Sequence, residues 1–330
     1  MALQRERAAG EHHPLAERLP AARRRGVSSS PRVSIGLPIY NGERYLRETL
    51  ENWQQQDFED YELIVSDNAS TDASPDILAE FAARDPRVRV IRQDATLPAF
   101  DNYNCLVPEA RGEYFAWTAD DDLRDPSFLS KLVAVLDERP EVVLAHPQVQ
   151  VFRGDDPSDL KPKVYFRRPC GTEDSKIARV CSVLRRSKTW GNVYGLIRRE
   201  VLARTHLFHQ PMGLVGDVGL MLELALHGKF ALVPEVLFYL RYHDQALHRT
   251  QDDPMYDGGR GRRIDADTLR WVDELPLDPV ERSLFLSELE TWCRKAQKPR
   301  PWHLRLHPLR ATWVRGRRTW VDLRRVLRGR

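Results

Sequence analysis

Four short apolar runs, each followed by a stretch of helical character, occupy residues 33–138 and leave little choice of fold. The runs are VSIGLP at 33–38, YELIVS at 61–66, VRVIR at 88–92 and YFAWT at 114–118. After the first comes a turn at Asn41-Gly42 and an amphipathic stretch over 43–55. Ser74-Pro75 sets a cap residue before a proline, which opens a helix to about residue 83. A third helical stretch covers 100–110, and Asp125-Pro126 repeats the cap-then-proline signal for a helix running to residue 138. Strand-length runs separated by helices of about ten residues specify βαβ units. The expected class is therefore α/β, with a mainly parallel central sheet flanked by helices.

Further along, the pattern is less regular. Pro157, Pro162 and Pro169 stand among many charges between residues 150 and 190, which reads as loops with a helix near 177–186. A strand is expected at 193–198, then a helix over 217–227 closed by Gly228. Pro234 and Glu235 divide the next apolar run into two strands, 230–233 and 236–242. Beyond residue 250 only helical spacing appears. Residues 1–30 offer too little apolar surface to offset the entropy of ordering them and read as a disordered leader. The expected organisation is a leader at 1–30, an α/β domain at 31–250 and a helical region at 251–330.

Composition limits the setting. Cys105, Cys170, Cys181 and Cys293 show no CxxC spacing, which fits reduced thiols better than a disulfide framework or a zinc site. No stretch approaches the roughly 20 apolar residues that span a bilayer, and no signal-peptide core follows the N-terminus. A cytoplasmic protein is expected.

Ligands of parallel sheets bind outside the carboxyl ends of the strands. The polar residues expected there are Asn41, Asp67-Asn68, Asn102 and Asn104, and Asp120-Asp121-Asp122. A cleft with so many carboxylates would repel a bare diphosphate, but a divalent cation such as Mg2+ or Mn2+ reconciles the two. A metal bridging two phosphates also offsets charge on a departing nucleoside diphosphate. Alternatively, the acids cap the turn before Asp125-Pro126, and Asp67 caps a turn of its own.

The ordered segments VSIGLPIYNGERYLRETLENWQQQ, YELIVSDNASTD and NYNCLVPEARGEYFAWTADDDLRDP resemble the family-2 glycosyltransferases of the GT-A fold, over about residues 32–245. The resemblance implies an inverting transfer of a sugar from a nucleoside-diphosphate donor. It places Asp67 on the donor's base, where an acceptor-only carboxylate suits an imide N–H and so favours UDP or dTDP, although guanine also has donors. Pro38, Tyr40 and Asn41 match the family's first nucleotide-contacting loop. Relatives commonly carry Asp-x-Asp-Asp at the metal, whereas alignment through Pro126 puts Ala119 at the first acid. Asp121 then binds the metal, with Asp120 near the ribose or metal waters; the other option pairs Asp120 with Asp122.

GLVGDVGLMLELALHGKFALVPEVLFYLRYH resembles the family's closing region and makes Asp217 the base that deprotonates the acceptor hydroxyl. The plainer reading of Asp217 is an acid favoured by the helix dipole. Arg241 and His243 match an Arg-x-His ending, implying phosphate contact for Arg241 and metal or diphosphate contact for His243. Asn102 and Asn104 resemble paired asparagines before Ala-x-Gly-Glu-Tyr; Asn104 is grouped with the nucleotide-binding loop, which the pair is expected to order through hydrogen bonds.

Net charge is +3, yet residues 300–330 carry ten arginines against one acid, Asp322, for +9, leaving −6 elsewhere. Leu306, Leu309, Trp313, Trp320, Leu323 and Leu327 form a stripe among those arginines, the pattern of a cationic helix lying in a membrane interface. Packing on the catalytic domain and nonspecific RNA contact are the competing readings, nucleic acid being the one set aside. The expected partners are a nucleotide-sugar donor and a glycan or lipid-linked acceptor, in cell-envelope polysaccharide synthesis at the inner face of the membrane. A nucleotidyltransferase would need a Gly-rich phosphate loop that PIYNGERYL lacks. The non-enzyme alternative is a degenerate, membrane-associated glycan- or nucleotide-binding protein.

Overall fold

The computed structural model describes residues 30–186, 191–209, 216–243 and 264–297. Its strands are β1 (Val33–Ile39), β2 (Tyr61–Asp67), β3 (Val88–Arg92), β4 (Tyr114–Trp117), β5 (Leu123–Arg124), β6 (Val142–Arg153), β7 (Asp156–Tyr165), β8 (Leu196–Arg198) and β9 (Lys229–Tyr242). They form one sheet in the order β3-β2-β1-β4-β8-β6-β9-β5, with β7 paired to β6. The sheet is parallel from β3 through β2 and β1 to β4. Beyond β4 it is mixed: β8 runs antiparallel to β4 and β6, β9 runs parallel to β6, and β5 runs antiparallel to β9.

Both faces of the sheet are covered. Every residue of β1 and β2 is buried, as expected of strands with helices on either side. The helices α1 (Glu43–Gln54), α2 (Ser74–Arg84), α3 (Ala99–Asn104), α4 (Leu106–Glu109) and α5 (Phe128–Glu138) fill the connections. On one face, Leu63, Val65, Tyr114 and Ala116 meet Leu50 and Trp53 of α1, Phe81 of α2 and Leu132 of α5. On the other, Ile64, Phe115 and Trp117 meet Leu106 of α4 together with α6 (Lys176–Arg186) and, after the short α7 (Arg199–Leu202), α8 (Gly216–His227). This alternation along β2 and β4 is the period of two that a strand imposes. A side chain such as Trp53, 1% exposed, is worth about 3–5 kcal/mol against alanine.

Two helices follow the sheet, α9 (Ala266–Glu274) and α10 (Pro279–Gln297). Trp271, Phe285, Leu289 and Cys293 bury into the same core as α6 and α8. Trp271 also donates its indole N–H to the buried Glu223 of α8 at 2.7 Å. These helices are therefore built into the α/β body as far as they are described.

Three local expectations need correction. Residues 230–242 form one strand: the ladder with β6 passes from Val233 to Val236, so Pro234-Glu235 is bulged out where proline's missing N–H costs no ladder bond. Residues 150–165 are mostly a hairpin, because β7 pairs with β6 alone and an edge strand tolerates Pro157 and Pro162. The 100–110 helix is two helices meeting at Cys105. The leader to residue 29 and the basic C-terminal stripe lie outside the described residues. Among the described residues no helix is long and apolar enough to cross a membrane, and no disulfide joins the four cysteines.

Candidate active site

Two loops at the carboxyl edge are stitched to each other. Asn41 takes a left-handed φ of 53°, which asparagine tolerates better than most residues. Its N–H donates to Ser70 Oγ at 3.0 Å and its side-chain oxygen accepts from Thr71 N–H at 2.8 Å. Next along, Gly42 N–H donates to Ser74 Oγ at 3.0 Å. Asp72 accepts from the N–H of Glu43, and Glu43 accepts from the N–H of Ala73, so α1 and α2 satisfy each other's first turns. A cavity of about 510 Å³ opens there, lined by Asn41, Glu43, Arg44, Thr71 and Asp72. Pro38 lies within β1 opposite Ser66, and Tyr40 is 55% exposed at the strand's end.

Asp67 ends β2 with its carboxylate buried. One oxygen accepts from Ser70 N–H at 3.0 Å; the other pairs with Arg92, its register partner on β3. Arg92 also donates to the Ser70 carbonyl at 2.9 Å and remains half exposed. A carboxylate has about four lone-pair sites, so Asp67 keeps capacity for a further donor. Asn68 is taken up by the backbone of Leu97, donating at 3.0 Å and accepting at 2.7 Å, a pair of bonds that suits an amide.

The three acids follow β4 and lead into β5. Asp120 packs on Gly42 so closely that a Cβ there would lie 2.0 Å from its Oδ2. Burial, reinforced by the neighbouring Asp121 carboxylate, pushes the Asp120 pKa up to about 7. Burial likewise holds Asp122 well above the carboxylate range, with Asp121 adding repulsion. Antiparallel pairing sets Leu123 against Tyr239 and Arg124 against Phe238. Continued past the start of β5, that register draws Asp122 and Asp121 towards Arg241 and His243. Asp122 Oδ1 accepts from the Arg241 N–H at 2.9 Å, and His243 Nε2 lies 2.8 Å from Asp121 Oδ2. The other ring nitrogen of His243 is buried without a hydrogen-bond partner among the described residues, and Tyr45 meets the ring edge-on.

Three expectations change on this geometry. Arg241 is not free for phosphate: its guanidinium is buried, and donates to the Asp121 carbonyl, the Gly154 carbonyl and Glu48. Asn104 clamps the backbone of Phe208 from both sides of its amide, at 2.8 and 3.1 Å, and so orders a neighbouring segment instead of facing a nucleotide. Asp122 is committed to the Arg241 main chain, which weighs against the Asp120/Asp122 metal pair. Asp217 stands in the first turn of α8, after Gly216, which abuts the Phe100 ring. Arg92 and Glu48 escaped the sequence reading, as did the hydrogen-bonded hydroxyls of Tyr103 and Tyr194 close to the acids. Only Arg92 left a signal, since parallel register sets it beside Asp67.

Among the described residues, no group of three or more His, Cys, Asp or Glu side chains forms a metal cage. The donor set nevertheless fits Mn2+ or Mg2+. Asp121 and His243 converge, Asp120 feels the repulsion a cation would relieve, and such ions leave several positions to phosphate and water.

A family model described as Glycosyl transferase family 2 matches residues 34–191. An uncharacterized protein of Mycobacterium tuberculosis is 30% identical over 271 residues, covering 79% of this chain and 73% of its own length. The chain belongs to glycosyltransferase family 2. Sugar transfer is accordingly its chemistry. Glycosyltransferase GlyG of Streptococcus pneumoniae is 33% identical over a shorter stretch, 32% of this chain and 36% of its own. Among solved structures, S. aureus TarS 1-349 in complex with UDP-GlcNAc superposes with a TM-score of 0.61 at 16% identity, covering 83% of this chain and 76% of that one. The mannosyltransferase PcManGT of Pyrobaculum calidifontis, in complex with GDP-Man and Mn2+, gives 0.51 at 18% identity, covering 86% and 81%. At these identities the structural likeness establishes the GT-A fold.

Proposed function

We propose that this transferase is metal-dependent and inverting, with a UDP- or dTDP-sugar as donor and a hydroxyl of a glycan or lipid-linked molecule as acceptor. The observation that carries the reading is the 2.8 Å meeting of Asp121 and His243 at the carboxyl edge, beside the loops that hold Asp67. Asp67 accepts from the base, with Pro38, Tyr40 and Asn41 shaping its pocket and Asp120 near the ribose. Asp121 and His243 would hold Mn2+ or Mg2+, and such an ion, when bound, would offset the charge on the departing diphosphate. Asp217 takes the proton of the acceptor hydroxyl as its oxygen bonds to the anomeric carbon. The bond from that carbon to the phosphate oxygen breaks in the same step, and the diphosphate leaves with the electron pair. The ligands named for TarS and PcManGT, a UDP-sugar in one and Mn2+ in the other, support this reading. The arginine-rich residues 300–330 fit attraction to an anionic membrane surface, at which a lipid-linked acceptor of envelope polysaccharide synthesis would be met from the cytoplasmic side.

The test is release of nucleoside diphosphate from UDP-, dTDP- and GDP-sugars, with Mn2+ and with chelator. Turnover of one donor class that chelation stops supports the proposal; chelator-resistant turnover removes the metal from it.

A further inference from the structure

Arg241 is among the largest fully buried side chains, and its position differs from that of an ordinary core residue. Its Nε donates to the Asp121 carbonyl at 2.7 Å, Nη1 to the Gly154 carbonyl at 2.7 Å and Nη2 to Glu48 at 2.6 Å. The guanidinium lies between rings, 4.2 Å from the Tyr45 centroid and 4.5 Å from that of Phe152. Through its main-chain N–H the same residue holds the Asp122 carboxylate. One side chain thus joins the acidic loop, the β6–β7 hairpin tip and α1. Two residues on, the strand delivers His243 to Asp121.

We propose that Arg241, braced by Glu48, is a positioning residue that sets the geometry of the metal-binding pair. The inference rests on the metal role given above to Asp121 and His243. The loop from β4 to β5 that carries Asp121 is constrained from outside by Arg241, whose main-chain N–H holds the Asp122 carboxylate and whose side chain ties the loop to the β6–β7 tip and to α1. The guanidinium supplies that constraint through the Asp121 carbonyl while leaving the Asp121 carboxylate free. A rigid planar fork spreads its donors over three nitrogens towards three acceptors on three elements; the compact ammonium of lysine, with its three donors on one nitrogen, does not span the same positions. Glu48 is the hydrogen-bonded charge partner, and without it the side-chain hydrogen bonds of the buried cation would go to carbonyls alone. Glu48 itself is 42% exposed on α1, so its removal opens no core.

The experiment measures Mn2+ affinity directly, from the electron paramagnetic resonance signal of free Mn2+, alongside a thermal melt of each protein. The wild type is compared with Glu48→Ala, Arg241→Lys and, as a control on the same helix as Glu48, Arg47→Ala, which breaks an exposed ion pair with Glu80 of α2. Outer residues that orient metal ligands change affinity by about 10- to 100-fold. We expect a loss in that range for Glu48→Ala and Arg241→Lys, none for Arg47→Ala, and recovery of Glu48→Ala turnover at saturating Mn2+. Lower melting temperatures with unchanged Mn2+ affinity would overturn the proposal by reducing Arg241 to a structural strut. Glu48→Ala decides alone if Arg241→Lys fails to fold. Absence of Mn2+ binding in the wild type would instead overturn the metal reading itself, and the two failures are separated by which protein shows them.

Discussion

The ring nitrogen Nε2 of His243 lies 2.8 Å from the carboxylate Oδ2 of Asp121, across 122 residues of chain. The short β5–β9 pairing brings them together, and both face the edge of the sheet where nucleotides bind in this class of fold. Substituting either should therefore act on metal affinity. Asp121→Ala is expected to abolish metal-dependent turnover, and His243→Ala to weaken Mn2+ binding by at least about tenfold. Titrating Mn2+ against initial rate checks both.

Asp120 yields a pH prediction. Its folded pKa, about 7, lies above that of an exposed aspartate because burial and Asp121 disfavour its charge. The folded state therefore holds a proton that the unfolded state has lost. Stability from this group is fully present below the unfolded pKa near 4 and is lost as pH rises through about 7. Mn2+ beside Asp121 would favour the charged form and reverse the loss. The rise in melting temperature caused by Mn2+ should be larger at pH 8 than at pH 6, and an equal rise at both would contradict the assignment.

Much of this edge was legible in the sequence because it is built from local signals. The four apolar runs, the Asn41-Gly42 turn and the Ser74-Pro75 helix start each depend on a few adjacent residues, and each lies close to where it was expected. Long-range partnerships left no such mark. Nothing local to Arg241 says that its guanidinium is buried between Tyr45 and Phe152, so the arginine of an Arg-x-His strand ending looked free to bind phosphate. The β6–β7 hairpin was hidden because Pro157 and Pro162 read as loop wherever edge position is unknown. Asn104 was expected to order a loop through hydrogen bonds and does so, but that the segment it clamps is Phe208 is visible only in three dimensions.

Asp217→Asn removes the proposed base but keeps size and most hydrogen bonding. Turnover should fall by about 100-fold or more while donor binding stays within about threefold of wild type. Steady-state rates beside donor titrations test this. Full activity would return Asp217 to the role of a helix-start acid.

Gly42→Ala would set a Cβ 2.0 Å from Asp120 Oδ2. The carboxylate has to move, at a cost of about 1 kcal/mol or more in stability. Mn2+ affinity should drop with it, and a denaturant melt paired with a Mn2+ titration reads both effects.

His206 lies between Glu223 of α8 and Glu274 of α9, at 3.1 and 3.0 Å. Hydrogen bonding to Glu223 raises its pKa despite burial. Stability from this group is full below the unfolded histidine value near 6.5 and is lost as pH rises through the raised folded value. Protection of α9 amides against hydrogen exchange, corrected for the intrinsic pH dependence, should weaken over that window. In His206→Gln that pH dependence should vanish.

Calorimetric titration of UDP, dTDP and GDP, each with and without Mn2+, tests the central claim most directly. The account predicts that UDP or dTDP binds and that Mn2+ strengthens the binding by tenfold or more in wild type but not in Asp121→Ala. Binding of none of the three, or binding indifferent to Mn2+ and to Asp121, would contradict it.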